Sequence, residues 1–142
     1  MKDLLVVIPA IKKNAVIPDQ LIKKLDKITL IQRAINTAKK LTTSDNILIL
    51  TDSEEISLIS ERNDIKFFWD NKLSLNSENI IKVTYDITSS LNHKNILIYR
   101  ANAPLVNYEI LNEAYNEFLK NDDIILTSVR KEKKKLLKTD GT

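Results

Sequence analysis

Leu4-Leu5-Val6-Val7-Ile8-Pro9-Ala10-Ile11-Lys12-Lys13-Asn14-Ala15-Val16-Ile17-Pro18 is the stretch that decides the fold. Its first half is a short, continuous apolar run, as a strand covered on both faces requires. Its second half leaves that strand through Pro-Ala into a long loop. In an open α/β sheet, ligands lie beyond the carboxyl ends of the strands. A loop that cradles phosphate there draws on glycine, because backbone must come close to the anion. This loop has none, and the only glycine of the chain is Gly141. The frame of a ligand-binding α/β domain is present, but the usual phosphate cradle is not.

The same alternation of apolar clusters and helical patterns runs down the chain. Short Ile-, Leu- and Val-rich runs predict strands at residues 3–8, 46–51, 65–69, 95–99 and 123–128. Helices fill the intervals. Leu30, Ile31, Ala34, Ile35, Ala38 and Leu41 fall on one helical face. Ser53 is placed to cap a short helix that directs Ile56 and Ile59 inward. Ile80, Val83, Thr84, Ile87 and Leu91 form a third stripe with Ser77 as cap. Ile110, Leu111, Ala114, Tyr115 and Phe118 form a fourth with Asn107 as cap. This β-α-β-α order argues for a doubly wound, mostly parallel α/β sheet of five strands with right-handed crossovers. The expected organisation is one domain over residues 1–142. Val7, Leu48, Ile49, Ile96 and Ile98 are its expected deep core.

Composition narrows the function classes. Of 142 residues, 43% are hydrophobic and 29% charged, the balance of a globular protein with a real core. No apolar run approaches the ~20 residues that span a bilayer, so no membrane partner is expected. The absence of cysteine removes disulfides and thiolate metal sites. Residues 130–142 hold six basic and two acidic residues, a net of +4 against +3 for the whole chain, so the remainder carries −1. No aromatic residue lies among those lysines to stack bases. The run reads as a solvated connection, and nucleic acid is not an expected partner. The terminal Asp140-Gly141 is a hairpin-turn signal with no strand after it.

Four segments, in order, resemble the cytidylyltransferase family that makes CMP-sugars from sialic acids, related nonulosonic acids and 3-deoxy-octulosonate. Val7-Ile8-Pro9-Ala10 through Leu30-Ile31 resembles the family's opening strand and loop. Ile49-Leu50-Thr51-Asp52-Ser53-Glu54-Glu55-Ile56 resembles its Ser-Thr-Asp-Ser-Glu-Glu-Ile segment. Ile96-Leu97-Ile98-Tyr99-Arg100-Ala101-Asn102-Ala103-Pro104-Leu105-Val106 resembles a strand that ends in Gly-Asp-x-Pro-Leu or Pro-Thr-Ser-Pro-Leu. Ile125-Leu126-Thr127-Ser128-Val129 resembles its Ser-Val strand. The resemblance covers nearly all of this chain and the N-terminal part of the family, whose members are longer. It implies a Rossmann-like fold of the nucleotide-diphospho-sugar transferase kind; the lack of cysteine is compatible with a cytoplasmic location. The resemblance also implies cytidylyl transfer from CTP to an acidic sugar with Mg2+, in surface-polysaccharide synthesis, with a homodimer among the expected partners.

Attack on the α-phosphate of CTP builds negative charge on phosphate oxygens, which needs cationic donors and close backbone. The family's loop supplies an Arg and two Lys; the matching positions here are Ile11, Ala15 and Gln20. Its loop glycines become Lys13 and Val16, and its magnesium-binding Asp after the fourth strand becomes Asn102. Lys12 and Lys13 are the substitute cations, or else a solvated loop pair. Arg100, ending the fourth strand beside the expected cleft, either meets a phosphate or carboxylate or pairs with a neighbouring acid. Pro9, Ala10, Asn14 and Asp52 line the expected nucleotide site. Asp52 alternatively serves only turn and cap chemistry. Trp69 is a core or interface anchor, or a stacking platform. Two functions stay open: an impaired CMP-sugar synthetase, or a lapsed relative that binds nucleotide or acts as a scaffold. A response-regulator-like module is disfavoured, because the first strand ends in Pro-Ala and no paired-acid site is present.

Overall fold

The parallel sheet is built from four short strands. The computed structural model describes residues 4–13, 22, 24–25, 28–76, 78–91, 93, 95–101, 107–120, 126–128 and 136–138. In chain order the elements are β1 (Leu4–Ala10), β2 (Lys24–Leu25), β3 (Ile28–Thr29), α1 (Leu30–Leu41), a 3-10 turn (Ser44–Asn46), β4 (Ile47–Thr51), α2 (Glu54–Arg62), β5 (Lys66–Trp69), α3 (Ile80–Thr88), β6 (Asn95–Ile98), α4 (Tyr108–Leu119), β7 (Leu126–Ser128) and β8 (Leu136–Lys138). Contacts group them into two compact units, Met1–Leu105 and Val106–Thr142.

In the first unit the sheet runs β5-β4-β1-β6, and every pairing is parallel. Val7 stands opposite Leu48 on one side of β1 and Ile98 on the other. The chain winds from β1 outward through β4 to β5, then returns to place β6 on the opposite flank of β1. The order reverses between β1 and β6, which makes that gap the topological switch point.

Alternation along the strands divides the core in two. Leu5, Val7, Leu48 and Leu50 point to one face. There Leu73 and Leu75 join them, with Val83 and Ile87 of α3 and Leu91 packed alongside. Leu4, Val6, Ile8, Ile47 and Ile49, all buried, supply the other face. The expected stripe of α1, Leu30 to Leu41, is buried at every position, and Ile56 of α2 is buried with it. α1 and α2 lie side by side, braced by a reciprocal amide pair. Gln32 Nε2 donates to Asn63 Oδ1 and Asn63 Nδ2 to Gln32 Oε1, each at 3.0 Å. Since neither helix contributes to the cluster under α3, they cover the opposite face, and the sheet is doubly wound as expected.

Local chemistry sets the helix ends. Thr29 caps α1 through Gln32 N–H (3.1 Å), and Ser53 caps α2 through Ile56 N–H (3.3 Å). α2 ends in a Schellman motif, with Ile65 N–H donating to the Ser60 carbonyl (3.0 Å) and Asp64 N–H to Glu61 (3.1 Å). Asp64 takes the left-handed position at φ 57°, where glycine is usual. The start of α3 departs from expectation. Asn76 Oδ1 accepts from the N–H groups of Glu78 and Asn79, and the N-cap Asn79 makes no side-chain cap bond to the helix. Ser77, the expected cap, lies outside the described residues.

The expected core also needs correction at the sheet edge. Val7, Leu48 and Ile49 are buried, but Ile96 is 40% exposed and Ile98 half-buried. Among the described residues β6 ends this sheet, so its side chains have a described neighbouring strand on one side only. An apolar run indicates a strand but does not tell an edge from a centre.

The second unit holds α4, β7 and β8. Asn107 caps α4 through Ile110 N–H at 3.0 Å, as expected, and Leu111 and Tyr115 are buried while Ile110 is exposed. The fifth expected strand exists as β7 (Leu126–Ser128), shorter than the expected 123–128. It pairs antiparallel with β8, Thr127 opposite Leu137. Leu136-Leu137 therefore forms a strand within the stretch read as a solvated connection. The surrounding lysines masked a run of only two apolar residues.

Candidate functional site

The loop that leaves β1 is tied down at its start. Thr51, at the carboxyl end of β4, donates its hydroxyl to the Ala10 carbonyl (2.7 Å) and accepts from Ser53 N–H (3.0 Å). Asp52 follows. Its Oδ1 accepts from Lys12 N–H at 2.8 Å and its Oδ2 from Lys13 N–H at 3.2 Å. One carboxylate thus holds two consecutive backbone amides, the arrangement a bound anion would seek at a loop of this kind. The anion here is the protein's own.

The lysine ammonium groups are directed to the same flank. Lys12 Nζ reaches Glu55 Oε1 on α2 at 3.5 Å, with the Lys12 side chain 24% exposed and that of Glu55 55% exposed. A pair this open to solvent adds little stability. Lys13 Nζ donates to the Asn71 carbonyl, just past β5, at 3.3 Å. Both partners belong to the β4–β5 side of β1, whereas the switch point lies on the β6 side.

Pro9 and Ala10 close β1, Pro9 half-buried and Ala10 buried. The register places Arg100 beyond β6, one strand away from them: Val7 pairs with Ile98, and Tyr99 N–H donates to the Val7 carbonyl at 2.8 Å. Arg100 is exposed. Beneath it Tyr99 is buried. Burial raises its phenol above the ordinary 10.0, against smaller opposing effects of a hydrogen bond to the Thr37 side chain and the charge of Arg33. Tyr99 thereby ties the end of β6 to α1.

The structure therefore gathers Lys12, Lys13 and Asp52 into one cluster and sets Arg100 across β1 from it. Asn14 and Asn102 lie outside the described residues. Sequence reasoning missed three participants: Thr51, Glu55 and Tyr99. The signal for Thr51 was present, because a Thr-Asp-Ser run at a strand end is able to bond backbone on both sides, whereas Glu55 meets a lysine distant in sequence. Tyr99 carried no signal, since its partners come from a helix distant in sequence. Elsewhere, His93 Nε2 meets Asn46 Oδ1 at 2.6 Å, at the end of the 3-10 turn, a structural pairing. Among the described residues no cluster of three His, Cys, Asp or Glu is placed to hold a metal ion, and no helix is long and apolar enough to cross a membrane.

Comparison with known proteins fits this geometry. No curated protein sequence matches the chain. A cytidylyltransferase from Leptospira borgpetersenii serovar Hardjo-bovis (strain JB197) superposes with a TM-score of 0.70 at 17% identity, over 88% of this chain and 53% of that one. A CMP:2-keto-3-deoxy-manno-octonic acid synthetase complexed with CTP superposes with a TM-score of 0.71 at 11% identity, over 88% of this chain and 51% of that one. At such identities the likeness is one of fold, and the chain spans about half the length of these structures. The sequence profile of the cytidylyltransferases matches residues 5–140. The chain belongs to the cytidylyltransferase family.

Proposed function

We propose that this chain binds CTP in the crevice beyond the carboxyl ends of β1 and β6, and that alone it transfers the cytidylyl group to an acidic sugar poorly or not at all. The sugar class is that of sialic, nonulosonic and 3-deoxy-octulosonic acids. Family membership supports the nucleotide. The impairment rests on one observation: the amides of Lys12 and Lys13 are both engaged by Asp52. Transfer requires donors aimed at the charge that develops on phosphate. In the described part of the loop, those amides and both ammonium groups are directed to the protein itself.

Arg100 is the exposed cation beside the crevice and is assigned to the phosphates. Pro9 and Ala10 form its floor. Asp52 acts as a positioning residue that holds the start of the loop. The described residues do not fit a dedicated magnesium site, because both oxygens of Asp52 are taken by backbone amides and no acid cluster stands beside it. Magnesium would arrive as the companion of the triphosphate. Cytoplasmic surface-polysaccharide synthesis is the setting that goes with these substrates.

Calorimetric titration with CTP and magnesium, followed by pyrophosphate release with a panel of acidic sugars, tests the proposal. One-to-one CTP binding with turnover far below the ordinary range of about 1–10³ per second is the expected result. Absence of CTP binding would refute the nucleotide assignment and leave a scaffold domain. Turnover within the ordinary range would refute the impairment.

A further inference from the structure

The Asp52 clasp joins a fixed partner to a yielding one. Asp52 stands half-buried at the junction of β4 and α2. Before it, Thr51 pairs with Ala10 in the sheet and bonds the Ala10 carbonyl at 2.7 Å. After it, Ser53 caps α2. The carboxylate is thus presented by two packed elements. Lys12 and Lys13 lie beyond the end of β1, outside its sheet pairing, and Lys13 is exposed. Asp52 gives both of their N–H groups an acceptor, at 2.8 and 3.2 Å. The Lys12–Glu55 and Lys13–Asn71 contacts, at 3.5 and 3.3 Å, are exposed to solvent and hold the loop weakly.

This is the geometry of an anion site with an internal anion in place. Two successive N–H groups that converge on one acceptor form a concavity that suits phosphate as well as carboxylate. Two ammonium groups stand on the same flank, but Asp52 and Glu55 balance their charge. An incoming polyanion therefore meets a neutral cluster whose two amides are already occupied. Without Asp52 the same cluster is cationic and its amides are open.

We infer that Asp52 is an autoinhibitory latch: its carboxylate takes the place of a phosphate group at the Lys12 and Lys13 amides, and a triphosphate reaches the loop only by displacing it. This deepens the nucleotide proposal above and rests on it for the identity of the ligand. The exchange swaps one acceptor for another, so its cost is that of opening the clasp. If the open form is a tenth of the population or less, apparent affinity falls about tenfold or more. Asp52→Asn removes the charge and leaves a single acceptor for two amides, which opens the site.

Calorimetry at constant ionic strength tests this on the full chain, with sodium tripolyphosphate and CTP–magnesium as probes and circular dichroism as the check on folding. Asp52→Asn and Asp52→Ser should each bind tripolyphosphate about tenfold or more tighter than the wild type. Glu54→Gln separates the latch from bulk charge. It removes an exposed acid two residues away without freeing an amide, so it should change affinity by less than about threefold. In the wild type, tripolyphosphate should move the Lys12 and Lys13 amide resonances together with the Asp52 carboxyl carbon resonance. No gain in either Asp52 variant, an equal gain in Glu54→Gln, binding that leaves the Asp52 carboxyl resonance in place, or loss of folding in both Asp52 variants would each overturn the inference. CTP bound no more tightly than tripolyphosphate, with the gain in the Asp52 variants intact, would refute the nucleoside reading and leave the latch standing.

Discussion

Replacing Asp52 by alanine removes the two bonds that hold the start of the β1 loop. The bond to Lys12 N–H, at 2.8 Å and partly buried, is a charge-assisted bond in a site with restricted water. The bond to Lys13 N–H is longer, at 3.2 Å, and exposed. Hydrogen bonds to charged groups contribute about 1.5–3 kcal/mol. With the exposed bond discounted to under ~1 kcal/mol, the pair accounts for about 2–3 kcal/mol. Asp52→Asn keeps one acceptor without its charge and should lose roughly half of this. Equilibrium urea unfolding measures the difference, and amide hydrogen exchange locates it. The expected pattern is accelerated exchange at Lys12 and Lys13, with the amides of β4 unchanged. A destabilisation under ~0.5 kcal/mol, the size of an ordinary surface substitution, with unchanged exchange at both lysines would refute the clasp.

Asp64→Gly should stabilise the first unit by about 0.5–1 kcal/mol in the same urea assay, because glycine tolerates the left-handed backbone that aspartate occupies at φ 57°. Tyr99 carries a phenol raised by burial above 10.0. Its contribution is therefore complete below pH 10 and lost as pH rises through the folded value, and Tyr99→Phe should flatten that alkaline loss. Arg100→Ala should leave stability within ~0.5 kcal/mol yet weaken CTP binding by calorimetry. Lys12→Ala with Lys13→Ala should change CTP affinity less, since their ammonium groups are held by Glu55 and Asn71.

Much of the fold was legible because periodicity reports burial directly. The stripe of α1 matches at every position, and Ser53 and Asn107 cap the helices they were assigned to. What the sequence hid was the lateral position of strands. Ile96 and Phe68 sit in apolar runs as Val7 does, yet among the described strands β6 and β5 are edges. Leu126–Ser128 reads as another parallel strand, but it pairs with β8. Nothing local to a strand encodes which neighbour it meets. The site divides similarly. Asp52 was visible from Thr51-Asp52-Ser53, but the amides it holds belong to Lys12 and Lys13, 40 and 39 residues away in sequence, and not to a local turn or cap. The directions of Lys12 and Lys13 depend on Glu55 and Asn71, distant residues that become neighbours only once β4 and β5 lie beside β1.

Amide chemical-shift mapping during titration with CTP and magnesium tests the central claim, nucleotide binding at the switch point, most directly. The account predicts that the largest perturbations fall at Ala10–Lys13 and at Tyr99, Arg100 and Ala101, with β5 and the outer face of α2 unaffected. Saturable shifts confined to β5 and α2, with the ends of β1 and β6 silent, would contradict it.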